Sequence, residues 1–159
     1  MSMCIYHGNL SLADAAYLAG LIDGEGSIAV SRTKTSASAK ACKRGFAYRS
    51  SVTITMTDLP VLEWVKRTAG VGNICVKKAR SRNHKQAWSW TAWSNEAASL
   101  LAQILPYLRV KAGQAENLIE FQGAMRQPGS KGLTDGEWAS REAHYNKSDR
   151  KSTRLNSSH

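Results

Sequence analysis

The 159-residue chain contains no uninterrupted run of the roughly 18 to 20 apolar residues that a membrane-spanning helix requires, and its N-terminus lacks the basic, apolar, small-residue order of a signal peptide. These absences argue against a membrane partner and for an intracellular protein, acting in cytoplasm, nucleoid or an organelle. Cysteine is scarce. Cys4, Cys42 and Cys75 are odd in number and far apart, and His7, His84, His144 and His159 stand at no zinc-ligand spacing beside them. Neither a disulfide framework nor a structural zinc is expected. No Ser-His or Cys-His arrangement points to a nucleophilic side chain.

Acid is missing where base is plentiful. From Ser27 to Thr57 there is no Asp or Glu, while Arg32, Lys34, Lys40, Lys43, Arg44 and Arg49 are present; from Trp64 to Asn95 acids are again absent, among Lys66, Arg67, Lys77, Lys78, Arg80, Arg82 and Lys85. The chain as a whole carries 22 Lys and Arg against 12 Asp and Glu, a formal charge of +10. Two acid-free basic blocks fit a polyanion-binding surface held by phosphate contacts and counterion release, although a solvated basic face has the same composition.

A hydrophobic fraction of 42% is enough for one packed domain. Leu12 to Asp23 has helical spacing of apolar residues, with Ser11 as its cap and a break at Gly24 and Gly26. Period-two alternation follows from Ser27. It is clearest from Phe46 to Thr57, where Phe46, Tyr48, Val52, Ile54 and Met56 share one face and Arg49, Ser51, Thr53 and Thr55 the other. Asp58 and Pro60 open a helix that stops at Gly70. Strands over 72–80 and 86–93 flank the basic turn SRNHK, and Ser94 or Asn95 can cap a third helix ending at Pro106, before a fourth over about 111–126. The order predicts an α+β domain with a four-stranded antiparallel sheet and helices on one face. This domain is expected over 1–130, followed by a C-terminal helical extension over 131–150, in which Thr134 and Glu137 have capping-box spacing ahead of Trp138. Residues 151–159 read as a disordered tail or an artificial scar.

The stretch LAGLIDGEGSI, Leu18 to Ile28, holds the chemistry. Ala16, Gly20 and Gly24 recur every four residues, with Ala19 and Asp23 alongside, a spacing that lets two helix backbones approach closely. Glycine inside a helix costs about 1 kcal/mol against alanine, so a helix buried only against its own sheet would be a poor reason for it. Ala16, Ala19, Gly20 and Asp23 are therefore the expected helix–helix interface. If two such helices cross, their C-terminal ends bring two carboxylates together, which repel unless a divalent cation lies between them. Hard oxygen ligands, with a glycine leaving the backbone carbonyl accessible, suit Mg²⁺. The alternative is that Asp23 and Glu25 are ordinary turn-formers at a helix–strand connection.

YLAGLIDGEGSI resembles the signature of the LAGLIDADG homing endonucleases, with Glu25 in place of the second Asp. VTITMTDLPVLEWVKRTAGVGNI resembles the family's second strand, helix and Gly-Val-Gly turn, and LPYLRVKAGQAENL its Leu-Pro-x-Leu-x-x-Lys segment, so that the similarity runs from about Leu12 to Met125. The resemblance implies the αββαββα fold, with a saddle-shaped sheet lying in the major groove of double-stranded DNA. One motif per chain implies a homodimer that cuts both strands of a long, near-palindromic target by metal-assisted phosphodiester hydrolysis, leaving short 3′ overhangs. It further implies that Glu25 is the metal-binding carboxylate with the Gly24 carbonyl beside it, that Asp23 shapes the helix end, that Lys111 is the basic active-site residue, and that Gln114 is an auxiliary polar group. Mg²⁺ is the implied cofactor, with Mn²⁺ an alternative, Ca²⁺ a non-cleaving substitute, and no small-molecule cofactor. Met56 departs from the pattern, because many relatives place a Gln there. A cleavage-deficient DNA-binding regulator or an intron RNA-splicing maturase is the alternative, against which the retained Glu25 and Lys111 speak.

Base reading is expected from the polar strand faces: Ser31 and Thr33 in the first strand, Arg49, Ser51, Thr53 and Thr55 in the second, Cys75 and Lys77 in the third, and Ser89 and Thr91 in the fourth. Arg32, Lys34, Lys43, Arg44, Arg80, Arg82 and Lys85 add charge for outer bases and phosphates. Trp88 and Trp90 alternate with Ser89 and Thr91 and read as core anchors.

Overall fold

A computed structural model describes residues 10–35, 44–79, 81–125 and 132–156. Helix α1 (Leu12–Glu25) is capped by the Ser11 hydroxyl, which accepts from the Asp14 N–H at 3.1 Å. It does not break at Gly24. The helix continues through both acids and stops at Gly26, whose N–H donates to the Ile22 carbonyl. A Cβ at Gly26 would stand 2.8 Å from the Ile22 backbone, so only glycine permits this tight exit into the sheet.

Strand β1 (Gly26–Lys34) pairs antiparallel with β2 (Phe46–Met56), which pairs with β4 (Ala87–Trp93), which pairs with β3 (Asn73–Lys77), giving the order β1-β2-β4-β3. Between them run α2 (Leu59–Ala69) and, after β4, α3 (Ser94–Ile104), a 3-10 turn (Leu105–Tyr107), α4 (Ala112–Gly123) and α5 (Asp135–Asn156). The α+β class and antiparallel sheet are as expected. Trp93 rather than Ser94 or Asn95 occupies the cap position of α3, without a side-chain hydrogen bond, because the helix already begins at Ser94; the Asn95 amide oxygen accepts from Gln122 on α4.

Register separates the sheet into two faces. Ile28 lies opposite Val52, Ile54 opposite Trp90, and Met56 opposite Trp88; these even-numbered residues face the helices. Leu18, Ile22, Val52, Ile54, Leu62, Val65, Trp90, Leu101 and Ile104 form the fully buried centre of the core. Trp90 is held by a bond from its indole N–H to the Val71 carbonyl at 3.0 Å and rests against Gly72, where a Cβ would come within 2.4 Å of the ring. Gly72 also has a φ of +86°, so both space and backbone require glycine.

Helix α5 opens with the expected capping box, Glu137 N–H to Thr134 Oγ1 at 3.2 Å and Thr134 N–H to Glu137 Oε2 at 2.7 Å. It then runs along the free edge of β1, where Ser148 Oγ accepts the Val30 N–H at 3.2 Å. Its Trp138 packs with Val30, Tyr48 and Phe121 in a second apolar cluster. The helix extends to Asn156, into the segment expected as a disordered tail: packing of its first half fixes an axis along which the polar remainder continues.

Candidate active site

The end of α1 is tied to the segment preceding α4 from both sides. Asp23 accepts two backbone N–H groups, Arg109 at 2.8 Å on Oδ2 and Lys111 at 2.9 Å on Oδ1. In return, Lys111 Nζ donates to the carbonyls of Ile22 (2.8 Å), Asp23 (2.8 Å) and Gly26 (2.7 Å). An ammonium has three donors, and all three are engaged. A cation on the carbonyls of a helix C-terminus also complements the negative end of its dipole.

These contacts shift both groups. Burial alone would raise the Asp23 carboxyl, but the backbone N–H groups of Arg109, Lys111 and Val110, with the Lys111 charge, hold it below its ordinary value. Burial lowers Lys111, and the nearby Asp23 and Glu25 charges oppose that shift without cancelling it. Lys111 therefore serves as a clamp on the helix end, its donors spent on backbone rather than projected toward a substrate. Asp23, which the resemblance implies shapes the helix end and the small-residue spacing places at a helix–helix interface, has both carboxylate oxygens engaged within its own chain.

Glu25, the next acid, stands exposed at the last position of α1, and among the described residues its carboxylate takes part in no hydrogen bond or ion pair. The Gly24 carbonyl is not among those that Lys111 takes. Among the described residues there is no cluster of three or more His, Cys, Asp or Glu that could hold a metal, so one chain brings a single free carboxylate to this point. Lys111 and Gln114 line a cleft of about 530 Å³ with Gly26, Ser27, Tyr145 and Ser148, beside the start of β1. Met56 packs against the core opposite Trp88, so this chain places no polar group there.

Around α1, small residues divide by face. Ala15, Leu18, Ala19 and Ile22 are buried in the chain's own core; Ala13, Ala16, Gly20 and Gly24 are exposed, flanked by the exposed Leu12 and Tyr17. Ala19, at 0% exposure, is therefore excluded from the outer stripe. A Cβ at Gly20 or at Gly24 would meet nothing within 4 Å, so nothing in the described fold requires glycine at either place.

The odd-numbered sheet face is polar and carries no acid. It joins Ser31 and Thr33 of β1; Arg49, Ser51, Thr53 and Thr55 of β2; Ser89 and Thr91 of β4; and Cys75 and Lys77 of β3. Hydroxyls pair across strands, Thr53 with Thr91 at 3.2 Å and Thr55 with Ser89 at 3.0 Å. Ser51 and Ser89, both expected to read bases, are buried, because the neighbouring strands on either side cover such short side chains. Arg82 and Lys85 stand exposed in the β3–β4 turn.

Three expected contact residues belong elsewhere. Arg32 and Lys34 pair with Tyr48 and Phe46 on the helix side. Arg32 lies over the rings of Tyr145 (4.5 Å), Phe46 (5.1 Å) and Tyr48 (5.6 Å) and pairs with Glu142 at 3.0 Å. Arg44 lies over Trp138 at 4.9 Å and pairs with Asp135 at 3.6 Å. Arg32 and Arg44 thus fasten α5. Lys43 and Arg80 lie outside the described residues. Asn73 and Trp93 share the polar face by register but went unpredicted, and extending the strand alternation by one step would have found both.

The sequence model of the LAGLIDADG endonuclease family matches residues 18–123. No curated protein matches the chain significantly. Among solved structures, the homing endonuclease I-CvuI in complex with the I-CreI target superposes with a TM-score of 0.70 at 18% identity, covering 87% of this chain and 82% of that one. The archaeal intron-encoded homing endonuclease I-Vdi141I, complexed with DNA, gives 0.67 at 21% identity over 86% and 82%. I-LtrWI, a LAGLIDADG homing endonuclease bound to target DNA, gives 0.63 at 24% identity, covering 87% of this chain but 45% of that one. With the family's pattern matched from the motif helix through α4, the chain belongs to the LAGLIDADG endonuclease family.

Proposed function

We propose that this site-specific DNA endonuclease works as a homodimer, two copies of α1 crossing through the stripe Ala13, Ala16, Gly20 and Gly24, and makes a double-strand break in a long, near-palindromic target. The observation that carries the reading is the room around Gly20 and Gly24. Glycines that no part of the described fold requires, on an exposed helix face that also carries apolar Leu12 and Tyr17, are explained by a second backbone arriving there. Crossing at that stripe brings the two Glu25 carboxylates toward one another, at a place where the described residues of one chain form no acid cluster of their own.

Glu25 and the Gly24 carbonyl fit a divalent cation, because both are hard oxygen donors, the Glu25 carboxylate has no hydrogen bond or ion pair among the described residues, and the Gly24 carbonyl is not one that Lys111 takes. Mg²⁺ or Mn²⁺ bound there would activate water and offset the charge that develops on the phosphate, while Ca²⁺ would bind without supporting cleavage. The chain's own residues do the rest. Asp23 and Lys111 fix the helix end that presents Glu25. Gln114, in the cleft with Lys111, is placed to order water or phosphate oxygens near the start of β1. The odd-numbered sheet face lies in the major groove, its exposed Thr33, Thr55 and Lys77 facing base edges, with Arg82 and Lys85 in reach of phosphates.

Selection of bound DNA from a randomised library, together with the protein's mass in solution, tests this reading. Near-palindromic sites bound by two chains are expected; an asymmetric site bound by one chain would overturn the homodimer.

A further inference from the structure

Three arginines of the described residues lie over aromatic rings, and they differ in one respect. Arg32 and Arg44 each have an acid from α5, Glu142 and Asp135, on the guanidinium. Arg49 has none. Its guanidinium carbon sits 4.0 Å from the centroid of Trp93, the shortest such distance in the set, and among the described residues no carboxylate pairs with it.

Position gives that difference meaning. Trp93 lies opposite Ser51, and Arg49 is two residues along β2 from Ser51, so both belong to the polar face. Trp93 is 37% exposed on a face of serines and threonines, where packing in the core does not account for it. Its backbone is held from below: β4 passes directly into α3, and Ser94, the first residue of that helix, has a φ of +52°, a left-handed conformation that serine rarely adopts. A planar guanidinium stacked on a fixed ring gives up much of its rotational freedom in advance, while its N–H edge remains open. Such an edge matches the O6 and N7 acceptors that guanine presents in the major groove, and an arginine already held in place loses less on binding than a free one.

We infer that Arg49 and Trp93 form a preorganised base-reading pair that selects guanine at one base pair of each half-site, Trp93 acting by positioning Arg49. The inference rests on the DNA-facing assignment of this sheet surface and deepens it.

Sequencing of DNA selected by the full-length protein from a randomised library, repeated with Arg49→Gln, Trp93→Leu and Trp93→Phe, tests it, with thermal melting to show that each variant is folded. The wild type should prefer guanine at one position by about 5- to 150-fold, the range that a good bidentate contact supplies. Arg49→Gln should abolish that preference, Trp93→Leu should weaken it several-fold at the same position only, and Trp93→Phe, which keeps a ring face, should retain most of it. If Trp93→Leu leaves the preference intact, or weakens binding equally across all sequences, the pair is not a reading device although the sheet still binds DNA. If the wild type selects no sequence at all, the DNA-facing assignment fails and this inference with it.

Discussion

Asp23 and Lys111 hold each other by exchanged backbone and side-chain bonds: the Asp23 carboxylate accepts the Lys111 N–H at 2.9 Å, and the Lys111 ammonium donates to the Asp23 carbonyl at 2.8 Å. The pair locks the end of α1 to the segment preceding α4, and with it the backbone that presents Glu25. Rigidity there has a functional consequence, since a displacement on the order of 1 Å at a reacting centre costs about a hundredfold in rate.

Lys111→Met should therefore lower both stability and cleavage. It strips the ammonium from three carbonyls, and a loss of about 2 to 3 kcal/mol in denaturant unfolding is expected. An unchanged midpoint would show that the three bonds contribute nothing net.

Acid should act through Asp23. Its folded-state pKa lies below the ordinary 3.8, so the unfolded chain binds the proton more readily. The stability contributed by its hydrogen bonds is complete above 3.8 and is lost as pH falls through the lower folded value. Thermal melts from pH 6 to pH 2 should show this loss in the wild type and a flatter acid limb in Asp23→Asn, which starts less stable. Parallel acid limbs would remove Asp23 from the account.

Gly20→Leu separates the chain from its dimer. The described fold leaves room for the side chain, and leucine favours helix over glycine by about 0.5 to 1 kcal/mol, so the protomer should remain folded. Sedimentation should show a monomer that no longer cleaves. A cleaving dimer would place the subunit contact elsewhere.

Gly72→Ala should do the reverse, harming the protomer. With a φ of +86° and the Trp90 ring 2.4 Å from the added Cβ, a destabilisation of about 2 to 4 kcal/mol is expected, read from denaturant unfolding. A loss under 1 kcal/mol would mean that the indole can move freely.

Arg32→Met tests the division of the basic residues. It should lower the melting temperature by loosening α5, while the slope of DNA affinity against salt stays as in the wild type, because Arg32 lies on the helix side of the sheet. Lys77→Met should leave stability unchanged. A salt slope altered by Arg32→Met would return that residue to the DNA contacts.

Much of this was legible before folding, for physical reasons that also explain the misses. Alternation over Phe46–Met56 is strong enough to fix the two faces of β2, and the alternation of Trp88 and Trp90 with Ser89 and Thr91 places Trp90 inward. For Arg32 and Lys34, charge argued for DNA, whereas parity with Ile28 and Val30 places them inward, and parity prevails because a strand's side chains alternate whatever their charge. Small residues marked α1 as a packing helix, yet helical spacing could not tell that Ala19 faces inward and Ala16 outward. The break expected at Gly24 and Gly26 comes at Gly26 alone, where the Ile22 backbone leaves no room for a Cβ, while Gly24 stays helical in open space. The docking of α5 was hidden because its partners Phe46 and Tyr48 lie on a strand remote in the chain.

Cleavage of a randomised near-palindromic DNA library in Mg²⁺, with the ends sequenced, tests the central claim when the wild type is compared with Glu25→Gln. The variant should fold and bind as the wild type does, because the exposed Glu25 carboxylate makes no hydrogen bond or ion pair among the described residues, yet its cutting should fall by about a thousandfold or more. Defined double-strand cuts that persist undiminished in Glu25→Gln would contradict the assignment of the active site to the end of α1.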